Sequence, residues 1–221
     1  MSGQTVYEGL RVRPEPIPVR PYEYAKRKRG LDLLGAGVAL VFLGPIYLIL
    51  ALLVKCTSKG PVFYSQTRVG RGGKCFRFIK FRSMYVDADQ RLAELKAQNE
   101  KGGPIFKIKN DPRITPVGRI LRKYSLDELP QFWHVFTGHM SLVGPRPPLP
   151  REVNQYDDYH LQRLSIKPGI TCYWQIMGRS DLTFDQWMEL DHRYLREMSL
   201  WTDLKILVKT PAAVLKGKGA Y

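Results

Sequence analysis

The chain has 221 residues, 44% of them hydrophobic, which is one domain's worth of sequence with enough apolar material for a core. Lys and Arg number 35 against 20 Asp and Glu, and the net charge of +15 calls for an anionic partner: nucleic acid, lipid headgroups or nucleotide phosphates. Three scattered cysteines, Cys56, Cys75 and Cys172, exclude a disulfide scaffold and a C-x-x-C zinc site and point to a reduced, cytosolic setting.

Residues 1–25 contain Pro14, Pro16, Pro18 and Pro21 and little apolar periodicity, so they read as an extended tail. Residues 26–59 read as a basic-flanked, membrane-inserted helix. Leu31 to Val54 is apolar except for Asp32, and at about 1.5 Å per residue it is long enough to cross a bilayer. It starts too far from Met1 for a secretory signal, and no A-x-A site follows. Lys26 to Arg29 precede it, and Lys55, Lys59, Arg68, Arg71 and Lys74 follow, so a straight span would put a strongly basic region outside. A helix that enters and turns back keeps both flanks inside, and Gly44-Pro45 supplies the break; a kinked but spanning helix is the alternative.

Residues 60–180 carry the candidate chemistry. Val62–Arg68 and Lys74–Met84 read as strands of a hairpin around Gly70-Arg-Gly-Gly73. Basic residues interleaved with Phe76, Phe78 and Phe81 resemble a nucleic-acid platform as much as a solvated strand face. The glycines match neither a P-loop nor a dinucleotide fingerprint. Asp87 to Asn99 reads as a helix ended by Gly102-Gly103, with Asp87-Ala-Asp89 either a cap or a D-x-D metal pair. His134, His139, His160 and His192 lack metal spacing and read as structural.

Residues 181–221 open with the capping box Thr183-Phe-Asp-Gln186, followed by Trp187, Leu190, Tyr194, Met198, Trp201, Leu204 and Val208 at helical steps. Such a stripe suits a core or a helix lying at a membrane interface.

The most informative feature is the acid pair Asp127-Glu128. From Phe106 to Arg146 the other acid is Asp111, whereas Lys107, Lys109, Arg113, Arg119, Arg122, Lys123 and Arg146 are basic. That field suits a polyanionic substrate, and the pair suits a metal ion or a nucleophile. Ser125-Leu-Asp-Glu128 also fits a capping box, in which the helix start would keep both acids ionised. Pro130 sits uneasily with a cap at Ser125 and better with one at Asp127, and the sequence leaves the choice open.

Lys80-Phe-Arg-Ser-Met84, Ser125-Leu-Asp-Glu-Leu-Pro-Gln131, Ser141-Leu-Val-Gly-Pro-Arg-Pro147 and Lys167-Pro-Gly-Ile-Thr171 follow one another behind the basic-flanked apolar segment. In that order they resemble the bacterial sugar transferases, the monotopic phosphoglycosyl transferases that start glycan assembly on a polyprenol carrier. The resemblance covers roughly residues 26 to 215. It is to the minimal form of the family, or to a stretch trimmed to it. Thr171-Cys-Tyr departs from it, because many members have glycine after the threonine.

The resemblance implies an α+β, mainly helical fold. It would have a re-entrant membrane helix broken at Gly44-Pro45, a small cytosolic catalytic domain with a β-hairpin, and amphipathic interfacial helices. It implies transfer of sugar 1-phosphate from a UDP-sugar to polyprenyl phosphate at the bacterial inner membrane, releasing UMP. Asp127 would attack the phosphorus nearest the sugar, and Glu128 would help hold Mg²⁺. Arg122 would lie near the pair. Arg146, between Pro145 and Pro147, would bind the nucleotide, and Lys80 and Arg82 would touch phosphate. Inner-membrane lipid is an expected partner, nucleic acid is not, and a homo-oligomer is allowed for. Two other classes compete: a tethered binder of nucleic acid or anionic lipid, and a metal-dependent glycosyltransferase using Asp87-Ala-Asp89 and releasing UDP.

Overall fold

The hydrophobic N-terminal stretch folds as two helices, α1 (Tyr22–Phe42) and α2 (Gly44–Thr57), bent by 60° at the break. The structure, a computed structural model, describes residues 22–95, 108 and 110–217. Pro45 lies in the first turn of α2, where its missing N–H costs nothing and its fixed φ favours a helix start. The expected tail is shortened by this, because Tyr22 to Ala25 already belong to α1, and residues 1–21 lie outside the described residues.

Polar anchors hold α1 in place. Asp32, buried inside the apolar stretch, accepts hydrogen bonds from Ser141 Oγ (2.9 Å) and the Leu142 backbone N–H (2.8 Å). The basic run is partly structural as well: Lys28 pairs with buried Asp203 at 2.7 Å, and Arg29 donates to the carbonyls of Val135 and Phe136. The other helix, α2, packs Leu50 and Val54 against Phe81 and Leu121.

Strands β1 (Phe63–Val69) and β2 (Cys75–Phe81) form the expected antiparallel hairpin, with Tyr64 opposite Lys80. Phe78 and Phe81 point into the core, so the aromatic residues of β2 are packing groups and form no stacking platform for bases. The helix expected over Asp87–Asn99 is shorter, α3 (Leu92–Leu95) preceded by turns; residues 96–107, Gly102-Gly103 among them, lie outside the described residues.

Helices α4 (Pro116–Lys123) and α5 (Gln131–Phe136) flank a 3₁₀ turn at Leu126–Glu128. Two short strands follow that sequence periodicity does not reveal, β3 (Ser141–Val143) and β4 (Gly169–Thr171), paired in parallel. They join two of the motifs, and glycine permits it: a Cβ on Gly169 would lie 2.1 Å from the Gly144 backbone nitrogen. Helices α6 (Pro150–Val153) and α7 (Asp158–Leu161) fill the connection.

After β4 come α8 (Tyr173–Met177), α9 (Phe184–Glu197) and α10 (Leu200–Lys216). The Thr183 capping box forms as read, but the stripe splits, because Met198 leaves helical geometry and Ser199 caps a new helix. Tyr194 and Met198 enter the core, whereas Trp201, Leu204 and Val208 are exposed. Cys172, where the family often has glycine, is fully buried with φ −161°, an extended backbone that any residue adopts.

Candidate active site

A cavity of about 610 Å³ opens between the hairpin, the turn after α4 and the α8–α9 region. Lys80, Arg82, Arg122, Asp127, Glu128, Arg146 and Pro147 all line it, so three of the four separated motif segments converge there. Pro145 does not line it; its carbonyl accepts the Gly169 N–H and fixes the loop that carries Arg146.

The acid pair sits in the 3₁₀ turn and caps no helix. Ser125, the capping-box residue, has left-handed backbone (φ 52°) and makes no side-chain cap. Its hydroxyl instead accepts from Arg179 Nη2, and α5 begins beyond Pro130. The expectation that a helix start stabilises both carboxylates is therefore replaced by two different environments. Burial raises the Asp127 pKa, opposed by Lys80 and reinforced by Glu128. Burial also works against ionisation of Glu128, but Arg146, donating Nη1 to Oε1 at 2.9 Å, overrides it and holds that carboxyl low. Neighbouring carboxylates pushed apart in this way are suited to different roles.

Acids elsewhere in the cavity have partners. Asp89 accepts from the Tyr64 hydroxyl, Asp111 is bound by Arg113 through two hydrogen bonds, and Glu152 accepts the Leu149 N–H. Among the described residues Asp127 makes no hydrogen bond, although Lys80, Arg122 and Arg146 all act on it electrostatically. Asp87 is outside the cavity, 3.9 Å from Arg91, so Asp87-Ala-Asp89 does not converge on one site.

Each cation is held differently. Lys80 stands on β2 with its ammonium 5.6 Å from the Tyr64 ring centre; burial, aided by Arg122, lowers its pKa to about 8. Arg122 donates Nε to Ser83 Oγ, which leaves its terminal amino groups for the cavity. Arg82 lines the cavity as well, but its terminal amino groups donate to the carbonyls of Ser58 and Lys59 at the end of α2, so it also anchors that helix. Arg146 lies 5.7 Å from the Trp174 ring centre, and its carbonyl accepts from buried Arg163, itself paired with Asp191 at 2.6 Å.

The sequence reading missed Arg68, Arg179, Trp174 and Trp187. Arg68 is buried beneath the cavity, donating to the Pro147 carbonyl, and Arg179 acts electrostatically on Glu128 and Asp127. Arg179 follows Gly178 at a chain reversal, and that glycine was the only local signal.

No group of three or more His, Cys, Asp or Glu among the described residues forms a protein-only metal cage. Magnesium needs none, since one or two carboxylates with substrate phosphates and water suffice. Glu128, whose Oε2 has no hydrogen bond among the described residues, fits that donor set beside Asp127.

Residues 23–217 match the family model for bacterial sugar transferases. The galactosyl transferase CpsE of Streptococcus agalactiae serotype III is 45% identical over 215 residues, covering 97% of this chain and 48% of CpsE. The undecaprenyl-phosphate galactose phosphotransferase of Salmonella typhimurium is 44% identical over 202 residues, covering 88% of this chain and 41% of that protein. The exopolysaccharide production protein ExoY of Rhizobium meliloti is 41% identical over 198 residues, with 88% of each chain covered. The chain thus spans less than half the length of the first two and most of the third. With a match running almost end to end, and three of its four motifs lining one cavity, this chain belongs to the bacterial sugar transferase family.

Proposed function

We propose that this protein transfers a sugar 1-phosphate from a UDP-sugar to polyprenyl (undecaprenyl) phosphate and so begins the synthesis of a bacterial surface glycan. One observation carries the reading: Asp127 is the cavity acid with no hydrogen-bond partner among the described residues, and cations surround it. A carboxylate left free in a basic pocket is available to a phosphorus atom. The names of relatives, one an undecaprenyl-phosphate galactose phosphotransferase, support the substrate class.

In the proposed sequence a carboxylate oxygen of Asp127 attacks the phosphorus bearing the sugar, and the bond to the bridging oxygen breaks. UMP departs with that electron pair, leaving an acyl phosphate on Asp127. A phosphate oxygen of the polyprenyl phosphate then attacks the same phosphorus, freeing Asp127 and forming polyprenyl diphosphate sugar. One anhydride replaces another in each step, so neither is steeply uphill. Lys80, Arg122 and Arg179 would spread the charge on the phosphoryl oxygens and on UMP. Arg146 orients Glu128, the residue that would hold Mg²⁺. The ion, when bound, supplies further neutralisation of the diphosphate.

Membrane attachment is part of the same proposal. No single described helix is long and apolar enough to cross a bilayer, but Ala25–Phe42 with Gly44–Thr57 passes together as a bent pair. Leu34, Val41 and Phe42 of α1 and Leu48, Ile49 and Leu52 of α2 are exposed, as are Trp201, Val208 and Leu215 of α10. A re-entrant pair entering the inner membrane from the cytoplasm, with α10 at its surface, would cover them and bring the cavity to headgroup depth.

The test is nucleotide release from a panel of UDP-sugars with Mg²⁺ and polyprenyl phosphate. Lipid-dependent UMP that disappears in Asp127→Asn is expected. UDP as product, or turnover by that variant, would overturn the proposal.

A further inference from the structure

Away from the cavity, two cations from distant parts of the chain meet over one glycine. A Cβ placed on Gly138, at the turn after α5, would lie 3.5 Å from Arg29 Nη2 of α1 and 3.6 Å from Lys167 Nζ. The two charges can therefore be no further apart than the sum of those distances. A third cation, Arg71 of the hairpin turn, adds to the field at Lys167.

Among the described residues no acid neutralises this group at contact distance. Asp32 acts on Lys167 only electrostatically, and its Oδ1 already accepts from Ser141 and Leu142. Arg29 directs its amino groups to the carbonyls of Val135 and Phe136, which fixes the guanidinium without neutralising it. Lys167 forms no hydrogen bond among the described residues. Half-buried like charges held this close repel each other, and an anion between them relieves the repulsion. The crowding shows in Lys167, whose pKa is lowered first by burial and then by Arg29.

The surroundings narrow the anion to an amphiphile. Trp133 and Phe136 of α5 stack at 6.1 Å and are both exposed. The Phe136 ring abuts Gly37 on α1, so the aromatic pair continues into the exposed Val38 and Val41 of that helix. A cationic notch bordered by exposed aromatic and aliphatic side chains matches a charged headgroup above its acyl chains.

We propose that Arg29 and Lys167, over Gly138, bind the phosphate of an anionic phospholipid whose acyl chains lie along Trp133 and Phe136. None of these residues lines the cavity, so the site is separate from the one that handles the nucleotide sugar. It shares with the proposed function only the premise of membrane attachment. A lipid held there would pin α1 to α5 and fix the height of the catalytic region above the bilayer.

The test uses the full chain in detergent micelles doped with brominated phosphatidylglycerol or brominated phosphatidylcholine, with quenching of Trp133 obtained by difference from Trp133→Phe. Preferential quenching by phosphatidylglycerol is expected. Lys167→Gln should weaken it about fivefold, the value of one cation at an anionic surface, and Lys167→Arg should restore it. The proposal fails if Lys167→Gln has no effect, or if the exposed Lys74→Gln weakens binding as much, since the attraction would then be diffuse. It also fails if inorganic phosphate displaces the lipid at comparable concentration, which would make the ligand a free phosphate. Asp127→Asn should leave quenching intact, so loss of catalysis and loss of lipid binding are separable results.

Discussion

Arg179 donates a hydrogen bond to Ser125, and these two are the described non-glycine residues with left-handed backbone, at φ 53° and 52°. Such conformations cost roughly 1–3 kcal/mol each and persist where the surroundings force them. Here the bond ties the segment after α8 to the turn that carries the acid pair. If it serves substrate binding, Arg179→Ala should lower kcat/KM by about 100-fold, the usual effect of losing one preorganised donor. Ser125→Gly, which removes the hydroxyl but relaxes the backbone, should cost less activity than Ser125→Ala. Steady-state UMP release from the three variants checks both statements; equal losses for glycine and alanine would rule out the backbone argument.

The opposed environments of Lys80 and Asp127 predict a bell-shaped pH profile. Burial raises the Asp127 pKa, so its ionised form, the one the proposed attack requires, should appear only above the ordinary carboxylate range. Lys80, at about 8, loses its charge as the pH rises past that value, and activity should fall with it. Lys80→Met removes a cation that holds the Asp127 pKa down, so the acidic limb should move to higher pH. Lys80→Arg keeps that charge and should abolish the alkaline limb. A profile of kcat/KM from pH 5 to 10, roughly spanning both ordinary and shifted values, separates these outcomes.

Gly118 lies where α4 presses on the backbone of the Lys80-to-Met84 motif. A Cβ there would come 1.9 Å from the Ser83 carbonyl oxygen, which no side-chain movement can relieve. Gly118→Ala should destabilise the protein by about 1–3 kcal/mol despite its better helix propensity. It should also reduce activity, because Ser83 Oγ holds Arg122. Thermal unfolding followed by circular dichroism tests the first; an unchanged melting temperature would mean that α4 can shift away.

Parts of this architecture were legible in the sequence and parts were not, for definable reasons. The Gly44-Pro45 break, the hairpin and the Thr183 capping box rest on local chemistry, and each formed where that chemistry placed it. The Ser125 box failed because its spacing ignores the left-handed Ser125 and the Arg179 that competes for the hydroxyl. The anchoring contact of Arg82 was not legible for a similar reason, as a basic residue beside a strand carries no sign of the helix end it will meet. Three-residue strands such as β3 and β4 are too short for periodicity to register. Trp174, Arg179 and Trp187 reach the cavity only through tertiary packing.

Arg163 and Asp191 form a buried ion pair behind the Arg146 side of the cavity, and Arg163 also donates to the Tyr156 hydroxyl and the Arg146 carbonyl. Removing one partner leaves a charge uncompensated in the interior, at a cost of about 3–5 kcal/mol. Asp191→Asn should therefore unfold at markedly lower denaturant. Arg163→Lys keeps the charge but loses the fork that reaches two acceptors at once. It should raise KM more than it lowers stability, since Arg146 and hence Glu128 are positioned through it. Urea titration alongside initial rates distinguishes the two effects; a rise in neither quantity for Arg163→Lys would show that Arg146 is held by Glu128 alone.

The break at Leu43 determines where α2 ends. Gly44 and Pro45 turn the chain by 60°, after which Tyr47 donates to the Leu129 carbonyl and Arg82 fastens Ser58 beside the cavity. Replacing both by leucine removes the steric reason for the bend and favours one continuous helix through residues 22–57. At about 1.5 Å per residue that helix exceeds the ~30 Å of a bilayer core, so its far end would leave on the opposite side. The straight helix cannot keep the contacts of α2 with α4 and β2, so activity should be lost. Cys56, exposed at the end of α2, reports the geometry directly once Cys75 and Cys172 are changed to serine. In inside-out vesicles an impermeant maleimide should label Cys56 in the native helix pair and not in the Gly44→Leu, Pro45→Leu variant. Labelling of the native pair only from the opposite face would show that α1 and α2 span the membrane despite the bend.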